Sequence, residues 1–253
     1  MYRKRKRVVV WLTAQSWLKL VMSAMLVVLM LFVFTYELPA TKTWTYWTMP
    51  LSGKTIALDA GHGGPDGGAE SKDGAIMEKD INLAIVRHLR DYLQQSGAIV
   101  VLTREDDKDL ASPATKGLSK RKTEDLINRA QFVNQKHADL FVTVHLNAVP
   151  SSKWSGAQTF FYPNHNDNPL LATLIQEEIK RNLMNTERVA KRVDGELYLL
   201  KTLKIPSALV EVGFLSNSEE AQRLVDPGYQ KKVAASIYQG ILRYYSGEKV
   251  GSF

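Results

Sequence analysis

The chain has no cysteine. That excludes disulfides, thiolate metal ligands and a cysteine nucleophile, and it says nothing of the redox compartment. Glycine crowds residues 61–68, yet the stretch lacks the Gly-Lys-Ser/Thr ending of a phosphate loop. It also lacks the G-x-G-x-x-G spacing of a dinucleotide fold, so neither nucleotide site is indicated. There are no internal repeats and no low-complexity tract. Net charge is scarce outside the first fifty residues. The net charge is +7, but residues 1–50 hold seven Lys/Arg against one acidic residue, a net of +6, which leaves about +1 for the rest. The pI near 9.4 therefore reflects a tail, and no nucleic acid is expected as a partner.

Long apolar runs are also rare; there is one. Arg3-Lys4-Arg5-Lys6-Arg7 precedes it, and Leu20 to Tyr36 carries no charge before Glu37 and Pro39 end it. At about 1.5 Å per residue, such a run reaches the lower limit for crossing a ~30 Å hydrocarbon core. It is long for the apolar region of a secretory signal, and Leu38-Pro39-Ala40 is a poor cleavage site. Residues 1–36 read as a basic cytoplasmic tail with an uncleaved membrane anchor through residues 20–36; a cleaved signal is the alternative. The basic flank places the chain beyond residue 36 outside the cytoplasmic membrane. Residues 37–52 read as a linker in which Trp44, Tyr46 and Trp47 suit a membrane interface. Residues 53–247 make one globular domain and 248–253 a C-terminal tail.

In the domain, strand and helix patterns alternate. Strands are expected at Lys54–Asp59, Ala98–Thr103, Leu140–His145, Ala157–Tyr162, Leu197–Leu200 and Ser207–Val212. Helices are expected at Met77–Gln95, Glu124–His137, Asn168–Met184, from about Asn217, and at Tyr229–Tyr245. Gly97 stops the first helix and Pro169 suits the first turn of the third. Ser216 and Glu219 have capping-box spacing ahead of the fourth. Residues 105–122 read as a surface loop. The order implies an α/β fold: a mostly parallel sheet of about six strands with helices on both faces.

Ordering a glycine-rich loop is costly in backbone entropy. It makes sense where the chain must bend around something. His62 stands at the corner after the first strand, Glu78 where the first helix begins, His145 at the end of the third strand and Glu211 in the last. In parallel sheets ligands bind beyond the carboxyl ends of the strands, so these residues can converge on one rim. Two His and one carboxylate is the ligand set of catalytic zinc, with a position left for water. We read His62, Glu78 and His145 as ligands of one Zn2+ and Glu211 as the general base. Each has a plainer reading. A lone His near a strand end is usually just hydrogen-bonded, and Glu78 suits a helix N-terminus. Glu211 is harder to dismiss, because an apolar strand desolvates it. Asp59 suits a hydrogen bond to a ligating imidazole, a solvated loop-edge carboxylate being the alternative. His88, His137 and His165 read as non-ligands.

Four ordered blocks, Leu58-Asp59-Ala60-Gly61-His62-Gly63-Gly64-Pro65-Asp66-Gly67-Gly68-Ala69, Glu78-Lys79-Asp80, Val144-His145-Leu146-Asn147-Ala148 and Val210-Glu211-Val212-Gly213-Phe214-Leu215-Ser216-Asn217, resemble the zinc-dependent N-acetylmuramoyl-L-alanine amidases of the amidase-3 type. The resemblance implies zinc ligands at His62, Glu78 and His145 and a catalytic glutamate at Glu211. It implies peptidoglycan as substrate, cut between the muramic acid lactyl group and L-alanine. Lys153-Trp154-Ser155-Gly156-Ala157-Gln158 and the stretch from Val233 to Tyr244 resemble the germination-specific branch of the family. That branch implies a role in spore cortex, in making muramic-δ-lactam. Some members of the family block their own site with a helix inserted after the fourth strand; here only Pro163 to Asn168 separates that strand from the next helix, so control is expected from expression, substrate access or an accessory protein. Two alternatives stay open: a non-catalytic wall-binding protein with a structural zinc, and a zinc carboxypeptidase acting on the stem peptide. A structural zinc is normally closed by four protein ligands, and three are found here.

Overall fold

The computed structural model describes residues 13–35, 49–195 and 197–250. The chain divides into two units, one around the N-terminal helix and one that holds the rest.

Helix α1 spans Ala14–Thr35. Its window Ala14–Val33 has a mean hydropathy of 2.2, and none of it is buried. The helix starts six residues before the uncharged run Leu20–Tyr36, because Lys19 interrupts charge but not helix geometry. At roughly 1.5 Å per residue its 22 residues extend about 33 Å, enough for a hydrocarbon core. Its length and composition fit a signal or anchor. The basic cluster at 3–7 and the aromatic residues at 44–47 lie outside the described residues.

The larger unit is built on strands β1 (Thr55–Ala60), β2 (Ile99–Leu102), β3 (Leu140–Asn147), β4 (Gln158–Phe161), β5 (Lys191–Arg192) and β6 (Ser207–Phe214). They form one six-stranded sheet in the order β2-β1-β3-β6-β4-β5. All neighbours are parallel except β4 against β6. Between the strands run α2 (Glu78–Gln95), α3 (Leu118–Gln135), α4 (Asn168–Leu183) and α5 (Tyr198–Thr202), and after the last come α6 (Ser218–Leu224) and α7 (Pro227–Tyr245).

Alternation along the strands splits the apolar side chains into two cores. Ile56, Leu58, Val142, Val144, Val210 and Val212 pack with α2, α4, α6 and α7 on one face. Ala57, Phe141 and Leu209 pack with α3 and α5 on the other. This second face matters for the chemistry. Counting by twos from Ala57, Phe141 and Leu209 leads to Asp59 and Gly61, to Thr143 and His145, and to Glu211. One face of the sheet is thus apolar low down and polar at its carboxyl rim.

The structure differs from the sequence expectation in three places. Leu197–Leu200 is not a strand. Residues 198–202 form the short helix α5, closed by Lys201 N to Leu197 O (2.9 Å) and Leu203 N to Leu199 O (3.0 Å), and Leu199 and Leu200 bury against the second core. The remaining strand is instead the two-residue edge β5. Helix α3 begins at Leu118, six residues before Glu124, so the preceding loop is shorter than 105–122. The α6 cap is shifted by one: Asn217 Oδ1 accepts from Glu220 N (3.0 Å), while Ser216 Oγ accepts from Val149 N (3.3 Å).

Candidate metal centre

Three elements bring the candidate ligands together. His62 follows β1 in a left-handed conformation, φ 64°, which a β-carbon makes unfavourable. The side chains that hold it there come from α3 and from the loop after β2. Arg129 Nη2 donates to His62 O (2.6 Å) and Nη1 to Ala60 O (2.9 Å). Arg104 donates to Ala60 O (2.9 Å), Gly61 O (3.1 Å) and Lys79 O (2.7 Å). Both arginines are buried, with 1% exposure each. Glu78 opens α2, and His145 is the sixth residue of β3.

The candidate donor atoms of His62, Glu78 and His145 all lie within 4.8 Å of one another. The imidazoles meet edge to face, 5.0 Å between centroids. Glu78 Oε1 lies 2.9 Å from His145 Nδ1 and Oε2 lies 3.2 Å from His62 Nε2. Backbone N–H groups of Leu146 and Ala69 (2.8 Å each) and Asn82 Nδ2 (3.1 Å) also donate to this carboxylate. Burial opposes its charged form, but hydrogen bonds from His145 and His62 outweigh burial and hold it well below the usual carboxylate range. His62 Nδ1 is taken up by Asp66 Oδ2 at 2.9 Å, which leaves Nε2 facing Glu78. Burial works against a charged His62, yet its bonds to Asp66 and Glu78 push it up to about 9.

The surrounding glycines are steric requirements. A β-carbon on Gly61 would fall inside the His145 ring, and one on Gly68 would sit 2.6 Å from Glu78 Oε2 and 2.7 Å from the His62 ring. A side chain at either position would displace a candidate ligand.

Glu211 stands opposite His145 in the β3–β6 register. Its Oε2 is buried and has no hydrogen-bond partner. Burial pushes its carboxyl up to about 7, with His145 opposing and Glu78 adding to the rise. A buried polar oxygen without a partner normally costs free energy, and this one lies in the strand beside His145. The other wall is a groove of about 470 Å³ lined by Asn147, Phe160, Lys191, Leu197, Leu209 and Glu211. Two imidazoles, one carboxylate and an adjoining unsatisfied carboxylate fit a divalent cation with an open coordination position.

Asp59 departs from its expected place. It touches neither imidazole in a hydrogen bond; it accepts from Thr103 (2.6 Å), Thr143 (2.6 Å) and Arg129 (2.7 Å). Burial raises its pKa, but Arg129 and the two hydroxyls bring it down to about 2. The partner of the imidazole is Asp66, four residues after His62 in the same loop. Arg104, Arg129 and Asp66 have no marker in the sequence beyond their charge, although an aspartate that close to a loop histidine is a usable hint. His88, His137 and His165 do not join a metal-holding group among the described residues.

The family model described as N-acetylmuramoyl-L-alanine amidase matches residues 56–243. A germination-specific N-acetylmuramoyl-L-alanine amidase of Bacillus subtilis (strain 168) is 52% identical over 219 residues, 87% of this chain and 91% of that one. Among solved structures, the CwlD amidase from Clostridioides difficile, in complex with the GerS lipoprotein, aligns with a TM-score of 0.75 and 46% identity over 77% of this chain and 100% of that chain. The catalytic domain of CwlV, an N-acetylmuramoyl-L-alanine amidase from Bacillus (Paenibacillus) polymyxa var. colistinus, aligns with a TM-score of 0.67 and 29% identity over 77% and 99%.

Proposed function

The chain belongs to the amidase-3 family of N-acetylmuramoyl-L-alanine amidases, and from that premise we propose that His62, Glu78 and His145 hold Zn2+ and that Glu211 carries the proton of the reaction. The activity is hydrolysis of the amide between N-acetylmuramic acid and L-alanine. A bound Zn2+ would polarise the scissile carbonyl and bring the pKa of water towards ~7.

The chain's own residues do the rest. Asp66 fixes the His62 tautomer by occupying Nδ1, and Arg129 fixes the backbone that carries the ring. Glu78 is held by two backbone N–H groups and Asn82, so its carboxylate cannot swing away. Glu211 Oε2 takes the proton of the attacking water. It returns that proton to the L-alanine nitrogen as the C–N bond breaks; the water's second proton passes from the new lactyl carboxyl to the amine, leaving a lactyl carboxylate and an ammonium group. The groove beside Glu211 gives the stem peptide a way out. The observation that carries this reading is the unpartnered Glu211 Oε2 beside three convergent donors.

We extend the reading to a setting. The Bacillus subtilis relative is named germination-specific, which supports action on spore cortex peptidoglycan, where removal of the stem peptide precedes lactam closure by another enzyme. Helix α1 supports a membrane-held enzyme working outside the cytoplasmic membrane. The complex of the Clostridioides difficile amidase with a lipoprotein supports an accessory protein as partner. The test uses the purified full chain in detergent, loaded with zinc and given muropeptides. New L-alanine amino termini and a peptide-free muramic acid product are expected. Release of D-alanine with no new L-alanine terminus would replace this reading with a carboxypeptidase.

A further inference from the structure

Between β3 and β4 the chain displays a tryptophan in solvent. Trp154 is 54% exposed. Tryptophan is a large apolar residue that is highly buried on average, so its display calls for a reason.

The loop that carries it is held from several sides. Glu220, fully buried, accepts from Gly156 N and from Phe214 N at 2.8 Å each, and so ties the start of β4 to the end of β6. Arg188 Nη1 donates to Ser155 O and Gly156 O at 2.6 Å each. Asn217 Nδ2 donates to Ser152 O at 3.0 Å. Gly156 takes φ +86°, which a side chain rarely adopts, and a β-carbon there would run into Asn185 O. A buried carboxylate, a doubly donating arginine and a left-handed glycine are arranged to hold one exposed ring in place.

The ring is part of a flat patch. Trp154 and Phe214 stack with centroids 6.5 Å apart and planes at 30°. Arg188 Cζ lies 5.7 Å from the Trp154 ring and 5.4 Å from the Phe214 ring, within cation–π range. The patch faces the catalytic side. In the β3–β6 register His145 pairs with Glu211 and Asn147 with Phe214, so three steps on β6 oppose two on β3. That bulge returns Phe214 to the side of the sheet on which Glu211 stands. Because Phe214 pairs with Asn147, two residues beyond His145, it lies roughly 7 Å beyond Glu211 along the strand at about 3.3 Å per residue.

We propose that Trp154, Phe214 and Arg188 form a stacking platform for a sugar of the glycan strand, next to the muramic acid that bears the scissile amide. The proposal rests on the amidase reading above. Its chemistry is that of a pyranose ring: one apolar face to lie on the indole, and hydroxyl and acetamido oxygens to meet the guanidinium. The placement favours this occupant. A glycan strand runs on from the muramic acid at Glu211, and a patch this near along the strand is within reach of its next sugar. The size favours it too. Two rings and a guanidinium suit one sugar, whereas a stable protein interface covers about 800 Å² per partner.

The test compares the zinc-loaded full chain with Trp154→Ala and Trp154→Phe. The two substrates are peptidoglycan strands several disaccharides long and N-acetylmuramoyl-L-alanyl-D-isoglutamine, which has no neighbouring sugar. Trp154→Ala should raise KM about tenfold on the long strands, the size of an aromatic ring contact. It should leave kcat, zinc content and turnover of the single-sugar substrate unchanged, and Trp154→Phe should restore most of the loss. Equal kinetics of Trp154→Ala and the parent on both substrates would overturn the proposal. So would an equal loss on both, or a defect seen only in binding a lipoprotein. If the parent cleaves neither substrate, the amidase reading itself has failed, which is a different result.

Discussion

Glu211→Gln keeps the shape of the side chain and removes its charge, so it separates what the glutamate does for the reaction from what it does to the fold. In the metal-free chain burial lifts this carboxyl from its ordinary 4.5 to about 7, against the pull of His145. Between those two values the native state keeps a proton that the unfolded chain has released. Stability therefore falls as pH rises from 4.5 to 7 and stays level above. At roughly 1.4 kcal/mol per pH unit the loss amounts to at most about 3 kcal/mol, less to the extent that water reaches the carboxylate. Glutamine has no such loss. After chelation, urea melts at pH 8 should show Glu211→Gln more stable than the parent by up to about 3 kcal/mol, with the two curves meeting below pH 4.5. Loading with zinc should shrink the gap, because a cation beside Glu211 already favours its charged form. Turnover should fall by roughly 10²–10⁴, the usual worth of a positioned base. Equal stability of the two metal-free proteins at pH 8 would refute the picture of a desolvated, unpartnered carboxylate. Undiminished turnover would remove Glu211 from the proton's path.

Arg129→Met should cost about 3–5 kcal/mol in urea melts at pH 7, since it leaves Asp59 and Asp125 buried without their partner. Asp59 is held down at about 2, so the stabilisation it contributes is present above 3.8 and lost as pH falls through 2; the penalty of Arg129→Met should fade over the same window. Asp66→Asn should weaken zinc binding by about 10–100-fold in chelator competition, because it disturbs the bond that orients His62. Gly61→Ala should fold yet fail to retain zinc by mass spectrometry, because the added methyl occupies the space of the His145 ring.

Much of this centre is legible in the chain before it folds, for a physical reason. Its candidate residues stand where periodicity changes: His62 where β1 gives way to glycine, Glu78 at the first turn of an amphipathic helix, His145 and Glu211 in apolar strands that otherwise exclude charge. The parallel sheet then brings those positions to one rim. The parts that stay hidden are those whose pattern is ambiguous. Leu197–Leu200 is a short apolar run, which fits a buried strand or one turn of helix equally; only packing on the second core decides. The first turns of α3, Leu118 to Arg121, carry charges without apolar spacing and read as loop. Arg104 and Arg129 look like solvent-facing charges, and nothing local shows that each reaches across to the β1 corner. Glu220 is a similar case, one residue from where capping-box spacing put the emphasis.

The buried charges explain why a divalent ion in particular suits this rim. Arg129 pairs with Asp59 and Asp125, and Arg104 joins the same β1 corner through the Ala60 and Gly61 carbonyls, so the two arginines and two aspartates there are neutral in sum. Asp66 is paired with Lys122 at 3.2 Å, and Lys79 with Asp107 at 2.7 Å. Two carboxylates then remain at the centre without a fixed cation, Glu78 and Glu211. In the metal-free chain the imidazoles answer Glu78, and His62 is pushed towards its charged form to do so. Glu211 Oε2 has no hydrogen-bond partner. Two negative charges in a desolvated site are balanced by a double positive charge, whereas a monovalent ion would leave one of them unscreened. The same balance suits the role proposed for Glu211: with its charge compensated by the centre and not by a hydrogen bond, its oxygen would be free to take a proton and give it back.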